Sequence, residues 1–181
     1  MAQREPNDEA APPVAASLAG ILLSESTLDD VLVLIAGAAL TALPAASDAS
    51  VTLSKDGSRA ATAAHAGGRA LRLDNAQYDL EQGPCLDAAE TADIQLVDDM
   101  TSDGRWPDWA PLAIAEGVHS ALAIPLRVHD FTVGVLTLSS PKVAGFGPPD
   151  VAEARNFASY AAVALANADL YARTSALAAD M

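Results

Sequence analysis

One cysteine, three histidines and a few clustered acids are the residues of this 181-residue chain whose types and spacing could do chemistry. Cys85 follows Gly83-Pro84, a turn leading into a helix. A thiol at a helix N-terminus can ionise below its ordinary range and act as a redox centre or a bilin-attaching nucleophile. The competing reading is a small buried hydrophobe in a turn, because free cysteine is among the most buried residue types. A lone cysteine excludes an intrachain disulfide and a cysteine-rich zinc site. His65, His119 and His129 have no i, i+4 partner and no neighbouring cysteine, so no metal site is encoded locally. Asp99, Thr101, Asp103 and Gly104 match the start of a calcium loop, but Ala110 stands where the bidentate glutamate belongs and Pro107 interrupts the loop. These acids read instead as a turn in which Asp103 meets Arg105. Trp106 and Trp109 carry the largest apolar surfaces in the chain. With Tyr78 they form either the lid of a pocket or the anchor of an irregular segment.

The elements that position these residues follow from composition and periodicity. Hydrophobic residues make up 51% and charged residues 19%, which is enough for a packed core and argues against wholesale disorder. Ten basic residues against twenty-four acidic give a net charge of −14, a field that repels a phosphate backbone, so no direct nucleic-acid partner is expected. The N-terminus carries Glu5, Asp8 and Glu9 against Arg4, and Pro12-Pro13 break it, which is wrong for a signal peptide. The run Val31 to Leu40 is too short for a membrane span of about 20 residues. The expectation is a cytoplasmic protein with no membrane contact, a disordered tail over 1–13 and a single domain over 14–178.

Residues 14–43 read as helical with a break near Ser24–Thr27, Thr27 serving as N-cap to Asp29 and Asp30. Leu28, Val31, Leu32, Ile35, Ala39 and Leu43 make one apolar stripe, while Val33, Leu34 and Leu40 spread beyond it and imply a partner. Ala49–Ser54 and Ser58–His65 form a hairpin through Lys55-Asp56-Gly57. Arg69–Gln82 supports one or two helical turns, Cys85–Glu90 a short helix and Ile94–Val97 a short strand. Pro107–Glu116 reads as a helix closed by Gly117. Val118–Val128 and Phe131–Ser139 are strands joined at His129-Asp130. A long helix opens at Pro148-Pro149-Asp150 and reaches about Ala178. Its seam of Val151, Ala154, Ala158, Ala161, Leu165, Ala168 and Ala172 admits a second helix closely. Leu32, Ile35, Ala158, Ala161, Leu165 and Ala168 are therefore the expected contacts of a homodimer. The fold class is α+β: a central antiparallel sheet of five to six strands with the terminal helices on one face.

Gln77–Asp87 (QYDLEQGPCLD) and Asp103–Pro107 (DGRWP), followed by Gly117-Val118-His119-Ser120, Pro125-Leu126 and Val133-Gly134-Val135-Leu136, resemble the GAF domain family. Within it they are most like actinobacterial GAF domains found ahead of RNA-binding ANTAR domains. The likeness covers roughly residues 14–172. It implies a non-enzymatic signal-receiving module, commonly homodimeric through its terminal helices, that controls a transcriptional or signalling output. A small ligand would then lie between the sheet and the 69–116 segment, touching Tyr78, Cys85, Trp106, Trp109 and His119. Neither the ligand nor any cofactor is named by the sequence. A dimerisation module without a ligand is one alternative. A remnant of a GAF–ANTAR antiterminator is another, as no basic segment follows the last helix before Met181. GAF methionine sulfoxide reductases need several cysteines, which argues against that activity. His119 reads as a pocket or haem-ligating residue, or as an ordinary edge histidine. Lys142, Phe146 and Asp150 partly match the motif of cyclic-nucleotide-binding relatives, but Pro141 and Val151 replace its asparagine and glutamate. Otherwise Asp150 caps the last helix, with Phe146 packed beneath it.

Overall fold

The computed structural model describes residues 27–53 and 60–179. The expected tail, the helical start at Val14 and the turn at Lys55-Asp56-Gly57 lie outside them. Helix α1 (Leu28–Ala42) begins in a capping box: Asp30 N–H donates to Thr27 Oγ1 at 3.2 Å, and the Asp30 carboxylate accepts from Thr27 N–H at 3.1 Å. Strands β1 (Asp48–Leu53) and β2 (Ala61–Ala66) follow. Then come α2 (Ala70–Leu80), α3 (Pro84–Thr91), the short β3 (Gln95–Val97) and α4 (Ala110–Ala115). The long hairpin of β4 (Ser120–Val128) and β5 (Phe131–Ser140) leads into α5 (Pro148–Ala179). The five strands lie in the order β2-β1-β5-β4-β3, each neighbour antiparallel.

Strand alternation sorts the side chains by face. Ala49, Val51, Leu122, Ile124, Leu126, Leu136 and Leu138 point into an apolar core covered by α1 and α5. Register pairs Leu122 with Leu138 and Ile124 with Leu136, so branched side chains meet across the hairpin. The other face carries Ser50, Thr52, Thr137 and Ser139 beside Ala121, Ala123 and Val135, beneath α2, α3 and α4. Helices thus cover both faces of the sheet, and the terminal pair shares one of them.

Two elements differ from their sequence reading. Arg69–Gln82 holds a full eleven-residue helix, because the residues recurring at its buried positions are Leu73, Asp74, Gln77 and Tyr78. Apolar periodicity overlooks a helix whose inward face is polar. The Pro107–Glu116 helix shrinks to Ala110–Ala115, with 107–109 in a turn. Pro107 and Pro111 remove amides that a longer helix would use.

The expected dimer contacts also need correction. Leu32, Ile35, Ala158, Ala161 and Leu165 are buried within the core between α1, α5 and the sheet, and Ala168 is partly buried against it. The small-residue seam brings α5 down onto its own sheet, where alanines allow close approach. These side chains are not free to meet a second chain.

Candidate functional site

The polar face is built outward from α2. Arg69, preceding that helix, donates its backbone N–H to Asp48 Oδ1 at 2.8 Å and pairs its guanidinium with Asp48 Oδ2 at 2.8 Å. Asp48 is buried at the start of β1, so this pair fixes where α2 begins relative to the sheet. One turn on, Asp74, Gln77 and Tyr78 point inward. Thr62 Oγ1 donates to Asp74 Oδ2 at 2.7 Å, and the Tyr78 hydroxyl lies 2.9 Å from Thr62 Oγ1 and 2.8 Å from Thr52 Oγ1. With Asp74 ionised, the direction of this chain is set. Thr62 spends its proton on the carboxylate and accepts from Tyr78, which in turn accepts from Thr52.

Gln77 ties α2 to α3. Its amide nitrogen donates to Asp74 Oδ1 at 3.4 Å, and its oxygen accepts the Cys85 backbone N–H at 2.9 Å. Gly83, the N-cap of α3, has φ +145°, and a Cβ there would come within 2.1 Å of Gln77 Oε1. Only glycine lets the glutamine reach the helix start. The QGPC sequence is thus a single structural device: a buried amide satisfies a buried helix N-terminus across a glycine turn.

Electrostatics here are led by burial, with His65 a minor opposing charge on Asp74. Burial raises the Asp74 acid above the ordinary carboxylate value, opposed by hydrogen bonds from Thr62 and Ser50. Tyr78 is also raised, first by burial and then by the nearby Asp74 charge. Burial, with Asp74 adding to it, pushes the Cys85 thiol up to about 11. Ser50, Leu73, Asp74, Gln77, Trp109, Thr137 and Ser139 border a seam with no room for a water molecule. There Thr137 Oγ1 is buried with no oxygen or nitrogen partner and faces the Cys85 thiol, a weak acceptor. Tyr78 also borders an outer hollow of about 430 Å³, with Ala60, Glu81, Leu86, Ala89 and Glu90. Its ring separates interior from surface.

Of the residues singled out in the sequence, Tyr78, Cys85 and Trp109 come together here. The Trp109 indole N–H donates to Leu73 O at 3.1 Å, holding the ring against α2. Trp106 stands one layer out, edge-on to Trp109 at 6.2 Å, and donates to Asp87 Oδ2 at 2.9 Å. Arg105 stacks on the Trp106 ring at 4.4 Å while paired with Asp103 at 2.6 Å. His119 is elsewhere, half-buried just before β4 and near Asp99, whose acid it helps to lower after the Thr101 hydrogen bonds. Asp99 accepts the Thr101 N–H at 2.9 Å and its hydroxyl at 2.7 Å, an Asx turn in place of a calcium loop. Asp150 accepts the Gly147 N–H at 2.8 Å at the start of α5, above the buried Phe146. Sequence reasoning missed Asp74, Gln77, Thr52, Thr62 and Thr137. The available signal was the i, i+3, i+4 spacing of Asp74, Gln77 and Tyr78 on one helix face. Among the described residues, no group of three or more His, Cys, Asp or Glu could hold a metal ion.

The sequence model of the GAF domain matches residues 25–166. The chain belongs to the GAF domain family. This GAF fold is similar to the GAF domain of a Coxiella burnetii phosphoenolpyruvate-protein phosphotransferase, with TM-score 0.69, 18% identity and coverage of 89% of this chain and 95% of that one. The corresponding Acinetobacter domain gives TM-score 0.67, 14% identity and coverage of 89% and 96%. A free methionine-R-sulfoxide reductase from Neisseria meningitidis, solved with its substrate, gives TM-score 0.67, 15% identity and coverage of 90% and 96%. At these identities the likeness is one of fold. No curated protein sequence matches the chain significantly. No described helix is long and apolar enough to cross a membrane.

Proposed function

We propose that this GAF domain is a non-enzymatic cytoplasmic sensor whose small ligand enters between the sheet and α2–α4. The observation that carries the reading is Thr137 Oγ1, a buried hydroxyl with no oxygen or nitrogen partner and only the weakly bonding Cys85 thiol beside it, in a seam lined by other polar groups. Buried polar groups are normally paired, and one left open is a place for a ligand atom. Entry requires α2 or the segment before α4 to move outward. The ligand therefore acts by favouring a more open population, and its differential affinity sets the size of the shift. Transcriptional control of the kind exercised through ANTAR domains is the output we favour, with a ligand-free interaction module as the alternative.

The second reading is reductase chemistry, favoured by the fold it shares with the Neisseria enzyme. Against it stands Cys85, the chain's single cysteine, with a thiol at about 11. Roughly one such thiol in ten thousand is ionised at neutral pH.

We further propose a homodimer through the outer face of α5. Tyr160, Val163, Asn167, Leu170, Thr174 and Leu177 recur there at steps of three and four. Tyr160 is 51%, Val163 46%, Leu170 61% and Leu177 69% exposed. Asn167 sits at a position where an asparagine pairs with its own copy across a two-stranded coil. Val163→Glu with Leu170→Glu is expected to leave a folded monomer by light scattering, whereas Leu165→Glu buries a charge and unfolds the chain. A dimer that survives the double substitution overturns this seam.

Native mass spectrometry with an absorption spectrum, on protein purified without added ligand, tests the sensor reading. A reproducible adduct lost in Thr137→Val supports it. Turnover of free methionine-R-sulfoxide with dithiothreitol, abolished by Cys85→Ala, would replace it with the reductase.

A further inference from the structure

Six arginines lie among the described residues, and four are matched to carboxylates. Arg69 pairs with Asp48, Arg72 with Glu116, Arg105 with Asp103 and Arg173 with Asp169. Arg127, near the end of β4, and Arg155, early in α5, have no ion-pair partner among the described residues. In a chain with twenty-four acids and ten bases, an unmatched arginine is the unusual case. Both of them line the same groove, about 470 Å³ in volume, between β4, the approach to β3 and α5.

Apolar surface at the groove comes mainly from Ala92 and Ile94, with Ile124 and Ala158 nearly fully buried beneath, and Pro125 and Ser159 complete the lining. Asp93 also borders it but pairs with neither guanidinium, which leaves one net positive charge. Two guanidinium groups lining one groove repel each other unless an anion lies between them. Their planar forks suit the two oxygens of a carboxylate or phosphate. The volume falls within the usual range of small-molecule sites, about 300–1,000 Å³. A polyanion would meet the −14 field of the chain, whereas a singly charged ligand meets the groove's local charge.

We propose that this groove binds a small organic anion, its carboxylate or phosphate held by Arg127 and Arg155 and its apolar body lying over Ala92 and Ile94. The groove adjoins α5, on the far side of the sheet from the Asp74–Tyr78 cluster, so it is a separate site from the one proposed above. An occupant would bridge β4 to α5.

Isothermal titration of the full chain with octanoate, octyl phosphate and uncharged octanamide tests this. At least one anion is expected to bind, with octanamide tenfold weaker or more, and the better anion identifies the head group. The double variant Arg127→Gln/Arg155→Gln is expected to lose at least tenfold in affinity with an unchanged melting temperature, since both side chains are exposed. Thr137→Val is expected to bind the anion as the parent does, which separates this groove from the opposite face. The proposal is overturned if octanamide binds as well as the anions, if the double variant retains full affinity, or if neither anion binds at millimolar concentration.

Discussion

The two faces of the sheet are packed by opposite means. On the side of α1 and α5, leucines, alanines and two phenylalanines interlock with no buried charge. On the side of α2–α4, a buried carboxylate, a glutamine, a tyrosine and several hydroxyls are held by directed hydrogen bonds. Apolar packing is non-directional and tolerates small shifts. A hydrogen-bond network is geometric, and each lost partner leaves a costly group behind. The first face therefore supplies the bulk of the stability. Under the proposed function, the second is the face that a ligand would rearrange, because polar contacts can be exchanged one for another.

Four changes test that contrast, in falling order of effect. Phe157→Ala, at the centre of the apolar face, is expected to cost about 3–5 kcal/mol in urea unfolding. A loss below 1 kcal/mol would remove the division of labour. Gly83→Ala drives a methyl group into Gln77 at a positive φ, with a cost of about 2–3 kcal/mol. The change should also uncouple α3 from α2, so native Cys85 alkylates faster than in the parent, which is expected to label only on unfolding.

Asp74→Asn separates the faces by pH. Because the folded acid is raised, the native state binds a proton that the unfolded chain has already released. Parent stability therefore falls as pH rises from the ordinary carboxylate value of 3.8 through the raised one, then levels. The asparagine variant lacks this fall, so the gap in urea midpoints between the two proteins should move in its favour over that window. A constant gap would mean that Asp74 titrates normally. Thr137→Val removes a buried hydroxyl that has only the Cys85 thiol beside it, at nearly constant shape, and should raise stability by about 1 kcal/mol. If the same change abolishes a bound adduct, the hydroxyl is kept for binding at the expense of stability.

The same contrast explains what was legible in the sequence. The apolar face could be read directly: the Val31–Ile35–Ala39 stripe, the Leu122–Ile124–Leu126 alternation and the helix from Pro148 all appear as expected. Thr27 could be placed as a cap because capping is local. Helix α2 could not be measured by periodicity, since its inward residues are the ones ordinarily assigned to solvent. Cys85, Tyr78 and Trp109 were singled out by type, yet their partners Thr52, Thr62 and Thr137 come from distant strands and carry no local signal. The helix seam was visible but its target was not. A stripe of alanines says that something packs closely, and here that something is the chain's own sheet.

The strand order has a further consequence, for the time course of folding. β1 is hydrogen-bonded to β5, with Ser50 opposite Thr137, so the centre of the sheet joins the two ends of the chain. The β1–β2 and β4–β5 hairpins are local and close cheaply, but the β1–β5 ladder that joins them cannot form until β5 exists. The loop between them must be closed against its entropy before any long-range contact offsets that cost. During synthesis α1 therefore leaves the ribosome with only the β1–β2 hairpin to pack against, and waits for the later hairpin and α5 to cover the rest of its apolar face. The last strand completes the sheet, and α5 then closes the apolar core over it.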